Sequence, residues 1–288
     1  MKYISCDEDL ESAIKTWSEK KEIAVDFEGE FNLHVYGEHL CLIQVFDGDE
    51  YYIVDPLSKA INKETLIAFF SLDVKKVWFD CQSDHSLVYK LYGSKINNIF
   101  DIRVLAKLLG FNGNLISLEK EYLGLDIKIN KKKNQQANWL RRPLDDDLIE
   151  YALLDVAHLM ELEDVLMCEI KKRGLEDKAK AFLNKANAVK KPEDPWRHVV
   201  NWKMISKRER VYVRNIFLAR DSIAKRFKVP AYYVMDKHRI GELAAHPPKD
   251  INMLRVRIQC EPKRFLKFLE PAIWSAIEKS EEEVKNLK

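Results

Sequence analysis

Two carboxylates at the end of a short apolar segment are the first residues whose types and spacing suggest chemistry. The segment Lys21–Phe27 (KEIAVDF) is followed at once by Glu28, which gives Asp26-Phe27-Glu28. In a strand, alternation of the side chains places Asp26 and Glu28 on one face. Adjacent carboxylates raise each other's pKa unless a cation lies between them, and Mg²⁺ and Mn²⁺ prefer oxygen ligands. The pair indicates a divalent-metal site, although two solvated acids at a strand edge are the commoner explanation of such a pair.

The hypothesis of a metal site is strengthened by three residues that occur later in the sequence. Asp84 lies at the start of a predicted helix, shortly after the apolar segment Lys76–Phe79. Tyr151 and Asp155 are four residues apart within the helical periodicity of Leu148–Leu162, so they share one helix face. Each residue alone is better explained as an interface tyrosine or a paired surface acid. Together, in this order and on these elements, they predict a constellation of four carboxylates and one tyrosine.

A sheet covered by helices is needed to bring these residues together, and the first half of the sequence predicts one. Short β-branched or aromatic segments predict four strands: Lys21–Phe27, Leu40–Phe46, Tyr51–Asp55 and Lys76–Phe79. Helical periodicity predicts four helices: Ser83–Leu91, Asp101–Leu109, Leu115–Leu123 and Asp145–Ile170. Asp47-Gly48-Asp49 is typical of a hairpin turn between the second and third strands. The predicted fold class is therefore α/β, with a mixed sheet wrapped by helices.

The remainder of the chain is predicted to be helical. Strand signals fade after Gly174, and Lys190–Pro195 (KKPEDP) is charged and contains two prolines, which is typical of a linker. Periodicity beyond it predicts helices at Ser206–Phe227, Asp236–Ala244 and Glu261–Lys279. The predicted organisation is a catalytic domain with trailing helices over residues 1–189, a linker over 190–195 and a small all-α domain over 196–288.

The net charge of +2 hides an uneven distribution along the chain. Residues 190–288 contain 23 Lys and Arg against 13 Asp and Glu, a net charge of +10, which leaves −8 for residues 1–189. An acidic part followed by a basic part suits an enzyme that binds cations in one place and a polyanion in another. Chance asymmetry between two domains would give the same distribution.

The composition argues against several classes of protein. With 47% hydrophobic and 33% charged residues, the sequence is typical of a soluble globular protein. No apolar stretch approaches the ~20 residues that cross a bilayer, and acids interrupt the N-terminus where a signal peptide requires an apolar segment. The five cysteines are scattered and none forms a CxxC pair, so neither a zinc site nor a disulfide framework is indicated. We expect a protein of the reducing cytoplasm, with no membrane partner and no obligate protein partner evident.

The order Asp-x-Glu, Asp, Tyr-x-x-x-Asp resembles the DEDDy group of 3′→5′ exonucleases, and specifically the ribonuclease D family. The similar segments are IAVDFEGEF with LCLIQVF for the first motif, KVWFDCQSDHSLVYKLYG for the second and NWLRRPLDDDLIEYALLDVAHL for the third. All five signature positions carry matching residues. The family often has a histidine where this chain has Phe79-Asp80, which makes Asp80 a rival to Asp84. The resemblance implies a ribonuclease H-like exonuclease domain.

The resemblance also implies a role for each signature residue. Asp26, Glu28, Asp84 and Asp155 would hold two divalent ions, Mg²⁺ or Mn²⁺, and Tyr151 would orient the attacking water. Two such ions ~3.5–4 Å apart can activate water, stabilise the pentacovalent phosphate and neutralise the leaving 3′ oxygen. Because an ordinary tyrosine has a pKa near ~10, Tyr151 would be a poor base unaided. The expected products are nucleoside monophosphates released from a 3′ end.

Two basic regions are candidates for contact with nucleic acid. In the loop Lys128–Trp139 the candidate residues are Lys131, Lys132, Lys133, Gln136 and Trp139. A solvated loop whose tryptophan anchors it to the core explains this segment equally well. The segment from Asp194 to Pro248 resembles the helicase-and-RNase-D C-terminal (HRDC) domain, a small helical bundle. Its candidate contacts are Lys207, Arg208 and Arg214, with a solubilising helix face as the alternative.

Three functions remain open on the sequence. The first is a 3′→5′ exoribonuclease that trims tRNA precursors or other small structured RNAs. The second is the same chemistry on DNA, which the HRDC-like segment does not exclude because DNA helicases carry it too. Nothing polymerase-like accompanies the exonuclease motifs, which argues mildly against proofreading. The third is a non-catalytic RNA-binding adaptor, which would predict eroded carboxylates, whereas all of them are intact.

Overall fold

Six strands form a mixed sheet in the computed structural model, which describes residues 1–127, 137–188, 193–259 and 261–287. The strands are β1 (Lys2–Ile4), β2 (Glu22–Phe31), β3 (Glu38–Phe46), β4 (Tyr51–Val54), β5 (Lys75–Trp78) and β6 (Ile99–Asp101). Their order across the sheet is β1-β4-β3-β2-β5-β6. β3 and β4 pair antiparallel, whereas β1–β4, β2–β5 and β5–β6 pair parallel. The mixed sheet predicted from the sequence is confirmed, and the two edge strands missed by the prediction are too short to show periodicity.

Alternation along β2 decides which of its side chains can reach a site. Ile23, Val25 and Phe27 enter a core beneath one face of the sheet and are at most 5% exposed. Ala24 is buried in a separate core on the opposite face, and the even-numbered residues of β2 continue that second face. The apolar residues fix the register, because a shift by one residue would move charged side chains into the core.

Eight helices accompany the sheet in the described part of the first unit. They are α1 (Asp7–Ser18), α2 (Lys63–Ser71), α3 (Gln82–Tyr92), α4 (Ile102–Leu108), α5 (Leu115–Leu123), α6 (Asp146–Ala157), α7 (Leu159–Lys172) and α8 (Glu176–Ala186). The prediction of one helix over Asp145–Ile170 is wrong, because α6 and α7 are separated at His158, whose φ and ψ are −118° and 8°. The apolar periodicity continues through α7, so the sequence pattern does not reveal this break.

The second unit is a bundle of helices. It contains a short 3₁₀ helix (Pro195–His198), α9 (Lys207–Phe227), α10 (Ala231–Val234), α11 (Lys237–Ala245), α12 (Ile251–Ile258) and α13 (Lys263–Lys285). A capping box begins α9, in which the Ser206 side chain accepts from the Glu209 N–H and the Glu209 side chain accepts from the Ser206 N–H. The apolar sides of α9 and α13 pack together around a buried core. Every described helix is too short or too polar to cross a membrane.

The chain divides into two compact units. The first comprises Met1–Glu30 and Glu38–Lys191, and the second comprises Phe31–Gly37 and Pro192–Lys288. Inclusion of Phe31–Gly37 in the second unit was not expected from the sequence. Tyr36 Oη donates to Asp221 Oδ2 at 3.1 Å within that unit, and Tyr232 Oη donates to the Leu33 carbonyl at 3.1 Å. The predicted linker over 190–195 lies partly outside the described residues.

Candidate metal centre

Three carboxylates from two elements converge on the second face of the sheet. β2 carries Asp26 and Glu28, and α6, which packs on β3, carries Asp155. One oxygen of each carboxylate lies within 4.8 Å of the chosen oxygens of the other two. All three side chains are partly buried, so they can be reached from solvent but are incompletely screened by it. The structure thus brings together three of the four carboxylates selected from the sequence.

The fourth carboxylate, Asp84, faces the same cluster from the first turn of α3. Its charge is one of those that raise the pKa of Asp26, although Asp84 lies outside the closely spaced triad. Burial raises the pKa of Asp84 to about 7, and the nearby indole of Trp78 partly offsets this effect. Asp84 therefore adds a carboxylate near the triad from a third element, α3.

Asp26 has the most perturbed environment of the four carboxylates. Burial raises its pKa well above the ordinary value, and the charges of Asp155, Asp84 and Glu28 raise it further. A divalent cation would offset this repulsion, because hard cations prefer carboxylate oxygens as ligands. The donor set and the mutual spacing of the oxygens therefore fit a divalent metal ion, held by the triad and approached by Asp84.

Tyr151 lies one helical turn before Asp155 on the same side of α6. Its side chain is buried beside Trp139, with ring centroids 6.3 Å apart. Burial raises the pKa of Tyr151 far above the ordinary value, and the charges of Asp155 and Glu28 and a hydrogen bond to Asp155 add to this shift. The phenol consequently keeps its proton at neutral pH and serves as a hydrogen-bond donor rather than a base.

The turn that precedes Asp84 is held by a buried carboxylate that the sequence analysis did not assign to the site. Asp101 ends β6, is 5% exposed and caps α4 by accepting from the Arg103 N–H at 3.0 Å. It also accepts from the backbone N–H groups of Asp80 at 2.9 Å and Cys81 at 3.3 Å. Burial raises the pKa of Asp101 to about 6. Asp101 thus fixes the residues from which α3, and with it Asp84, begins.

Asp80, the rival to Asp84, is engaged elsewhere. Its backbone adopts a left-handed conformation with φ of 65°, which aspartate tolerates better than most residues. Its carboxylate forms an ion pair with the guanidinium of Arg103. The charge of Asp84, in contrast, raises the pKa of Asp26. The geometry therefore supports Asp84 as the metal ligand of the second motif.

The predicted nucleic-acid contacts before the third motif have two outcomes. Lys131, Lys132, Lys133 and Gln136 lie outside the described residues. Trp139 is 2% exposed and belongs to the core cluster that contains Tyr151. The expectation that Trp139 meets a base or phosphate is therefore wrong, and the alternative that it anchors its loop to the core is correct.

The predicted contacts of the helical unit differ in their freedom to bind an anion. Lys207 and Arg208 are exposed in the first turn of α9, with the Arg208 guanidinium 4.9 Å from the ring centroid of Tyr212. Arg214 is half-buried and forms an ion pair with Glu283. The charge of Arg214 is therefore largely compensated, which makes it the weakest of the three candidates.

A buried glutamine on β3 is a second residue that the sequence analysis passed over. Gln44 is fully buried, and neither its Oε1 nor its Nε2 has a hydrogen-bond partner among the residues that the structure describes. Alternation places it on the same face of β3 as Leu42, which packs in the cluster around Tyr151. An unpaired buried amide is costly, so an ordered water is expected there. The polar residue within the apolar run LCLIQVF was the available signal.

The site contains carboxylates from one strand and two helices, and a buried tyrosine lies one helical turn before the last of these carboxylates. This arrangement is typical of metal-dependent nucleases with a mixed α/β domain. A family model described as 3′-5′ exonuclease matches residues 1–171, and the chain belongs to this family. The resemblance to ribonuclease D is confirmed by relatives carrying that name. Ribonuclease D of Sphingobium indicum is 28% identical over 240 residues, covering 79% of this chain and 59% of the relative.

Three further proteins extend the likeness beyond the matched domain. The exosome complex component 10 homolog of Caenorhabditis elegans is 28% identical over 260 residues, which cover 86% of this chain and 29% of that protein. The crystal structure of Escherichia coli RNase D matches with a TM-score of 0.76 at 23% identity, over 97% of this chain and 74% of that one. The catalytic core of RRP6 from Trypanosoma brucei matches with a TM-score of 0.73 at 22% identity, over 96% and 80%. At these identities the two structures establish the fold.

The chain is shorter than the curated relatives. It spans 59% of the Sphingobium indicum protein and 60% of the ribonuclease D of Nitrobacter hamburgensis. The HRDC resemblance of the helical unit stays a prediction.

Proposed function

We propose that the protein is a metal-dependent 3′→5′ exoribonuclease that releases nucleoside monophosphates, with two Mg²⁺ or Mn²⁺ ions as cofactors. The observation that carries this proposal is the triad of Asp26, Glu28 and Asp155, whose oxygens lie within 4.8 Å of one another. Asp84 and Tyr151 support the proposal as well, because the charge of Asp84 raises the pKa of Asp26 and the charges of Asp155 and Glu28 raise that of Tyr151. The relatives named ribonuclease D support RNA as the substrate.

The chemistry supplied by the bound ions is neutralisation of the scissile phosphate and activation of water. The four carboxylates would hold the ions, with Asp26, Glu28 and Asp155 as the closely spaced donors. Tyr151, whose protonated hydroxyl hydrogen-bonds to Asp155, would orient the attacking water by accepting a hydrogen bond from it. Trp139 packs beside Tyr151 and limits the movement of the phenol ring.

The proposed substrates are 3′ ends of tRNA precursors or other small structured RNAs. The Escherichia coli protein of the same fold is described as an exoribonuclease involved in structured RNA processing, which supports this choice by analogy. Lys131, Lys132, Lys133, Gln136, Lys207 and Arg208 are the proposed contacts, and Arg214 is a weaker one. A cytoplasmic location is proposed because the cysteines of the described ranges, Cys6, Cys41, Cys81 and Cys168, carry free thiols.

The second candidate function is the same hydrolysis on DNA. The carboxylates act on the phosphodiester, which RNA and DNA share, so the metal centre does not discriminate between them. Discrimination requires contacts to the 2′-OH. A non-catalytic adaptor is disfavoured because all four carboxylates are present, and their mutual repulsion at Asp26 is one that a bound cation would relieve.

The test is digestion of 5′-labelled single-stranded RNA and of DNA of the same sequence, in Mg²⁺, Mn²⁺ or EDTA. Wild type is expected to shorten RNA from its 3′ end only with metal, and Asp26→Asn is expected to leave it intact. Asp49→Asn is the matched control, because that side chain is 82% exposed in the β3–β4 turn and should not affect cleavage. Faster shortening of DNA would establish the second candidate, and binding without shortening in either metal would leave the adaptor.

A further inference from the structure

Six basic side chains cluster in sequence at the end of α9 and the start of α13. They are Lys225, Arg226, Lys228, Lys263, Arg264 and Lys267, and all six are exposed. Residues 222–228 and 262–269 contain no aspartate or glutamate. None of the six forms an ion pair with a carboxylate of the described ranges. Their charges are therefore uncompensated.

Other arginines of the same unit form ion pairs with nearby carboxylates. Arg214 pairs with Glu283, and Arg220 pairs with Asp221. Arg255 forms a two-pronged bond to Glu270, at 2.6 and 2.9 Å. Carboxylates thus neutralise these three arginines, whereas no carboxylate of the described ranges pairs with the six residues at the end of α9 and the start of α13.

Helix stability explains only half of this arrangement. Cations at the C-terminal end of α9 are favoured by the helix dipole, which accounts for Lys225, Arg226 and Lys228. Lys263, Arg264 and Lys267 lie at the N-terminal end of α13, where the dipole opposes positive charge, and its first turn contains no acid. Three cations in an unfavourable place indicate a purpose other than stabilising the helix.

Aromatic rings lie between these cations. Phe227 is 37% exposed, and its ring centroid is 5.0 Å from that of the partly exposed Phe268. The Arg226 guanidinium lies 4.8 Å from the Phe268 ring centroid, and Lys267 Nζ lies 5.0 Å from it. Cations that follow a phosphate backbone, combined with rings on which bases stack, are the features of surfaces that bind single-stranded nucleic acid.

We propose that this basic-aromatic surface, formed by the six cations with Phe227 and Phe268, binds single-stranded RNA through its phosphates and one or two stacked bases. The choice of RNA rests on the proposed exoribonuclease function. The surface is separate from Lys207 and Arg208, which begin α9, and it lies at the other end of that helix. Its role is to raise the affinity for substrate and not to take part in cleavage.

Binding is measured by fluorescence anisotropy with a labelled single-stranded RNA of about 16 nucleotides, on full-length protein that carries Asp26→Asn to prevent cleavage. Arg226→Gln combined with Lys267→Gln is expected to raise Kd about 10-fold or more and to lower the salt slope by about 1.4. Phe227→Leu keeps an apolar side chain against Phe265 but removes a stacking face. It should raise Kd about 5-fold with an unchanged salt slope.

The matched control is Lys249→Gln combined with Lys279→Gln, which removes two exposed charges elsewhere on the unit. It is expected to keep the Kd of the parent, and thermal melts should show every variant folded. Unchanged RNA affinity of the surface variants would overturn the proposal. Binding of all proteins to vesicles with anionic lipids is measured in parallel, and a loss of vesicle binding without a loss of RNA binding would overturn it as well. Wild-type cleavage is assayed in parallel. Absence of wild-type cleavage would refute the proposed function. Normal cleavage together with unaltered RNA binding in the variants would refute only the proposal that the basic-aromatic surface binds RNA.

Discussion

The environment of Asp26 shows, at the scale of one residue, that the site lowers the stability of the folded protein when no metal is bound. Its carboxylate lies close to those of Glu28 and Asp155 and is partly removed from water. Burial and these charges raise its pKa well above the ordinary value, so folding brings together groups that repel one another. Such a cost at a functional site is common, because selection for activity tolerates local loss of stability.

Asp26→Asn should therefore stabilise the metal-free protein while weakening its response to metal. Removal of one repelling charge is expected to raise Tm in EDTA by about 2–4 °C, which corresponds to about 1 kcal/mol for a domain of this size. The further rise that Mn²⁺ gives to wild type should be largely lost. Thermal denaturation of both proteins with EDTA and with Mn²⁺ tests this. An equal metal-induced shift in Asp26→Asn would show that Asp26 is not a ligand.

Tyr151→Phe isolates the phenol hydroxyl. The ring stays packed beside Trp139, so the fold should be retained. Loss of the hydrogen bond that orients the water is expected to lower kcat about 100-fold with little change in KM. Initial rates on single-stranded RNA measure both constants, and Tyr122→Phe, on α5 beside Phe111, is the control expected to keep wild-type rates. Wild-type kcat in Tyr151→Phe would exclude the proposed role.

At the scale of elements, the site depends on turns that fix where helices begin. Asp101→Ala would leave the N–H groups of Asp80, Cys81 and Arg103 without their acceptor. We expect a loss of about 2–4 kcal/mol of stability and a fall in kcat of about 10-fold or more, because Asp84 is no longer rigidly placed. Asn114→Ala is the control. It removes the cap of α5, where Asn114 accepts from the Ser117 N–H at 3.0 Å, and should reduce stability without reducing kcat at a temperature where both variants are folded.

Asp101 also predicts a pH dependence of stability. Burial raises its pKa to about 6, above the ordinary ~3.9 of the unfolded chain. Between these values the folded state binds more protons than the unfolded state, so this group lowers stability as the pH rises from about 4 to about 6, by at most about 3 kcal/mol. The free energy of unfolding of wild type and of Asp101→Asn is measured with denaturant across this pH range. It should fall more steeply with rising pH in wild type, by the contribution of the Asp101 carboxyl. Parallel curves for the two proteins would contradict the assignment.

The sequence predicts those elements best whose periodicity is long or whose ends carry turn residues. β2, α3 and α9 were found because apolar alternation or helical periodicity is unbroken in them, and the metal-site carboxylates could be placed on them. The break at His158 was missed because the apolar pattern continues through it. Asp101 was taken as the first residue of a helix, since only the folded chain shows that it receives N–H groups from residues about 20 positions earlier. Inclusion of Phe31–Gly37 in the helical unit likewise depends on contacts that are distant in sequence.

At the scale of the whole molecule, the acidic excess and the basic excess lie in different parts of the chain, which suits cation binding in one part and polyanion binding in the other. Residues 1–189 carry a net charge of −8 and contain the carboxylates that fit a metal ion. Residues 190–288 carry +10, and six exposed cations that form no ion pair within the described ranges lie at the end of α9 and the start of α13. Binding of a polyanion can therefore be altered by changes to the second part without altering the metal centre.

Salt should accordingly change substrate affinity and leave the chemical step intact. Phosphate contacts release counterions with a slope of about −0.7 per contact on single strands, so six contacts weaken binding about 300-fold between ~0.05 and ~0.2 M salt. KM for RNA is expected to rise steeply with salt while kcat at saturating RNA stays constant, because the carboxylates proposed to hold the ions are partly buried. Initial rates over this range, for wild type and for Arg226→Gln with Lys267→Gln, measure the two slopes, and that of the variant should be shallower by about 1.4. A fall in kcat at constant KM would instead place the action of salt at the metal centre, and the separation of tasks between the two parts of the chain would then be wrong.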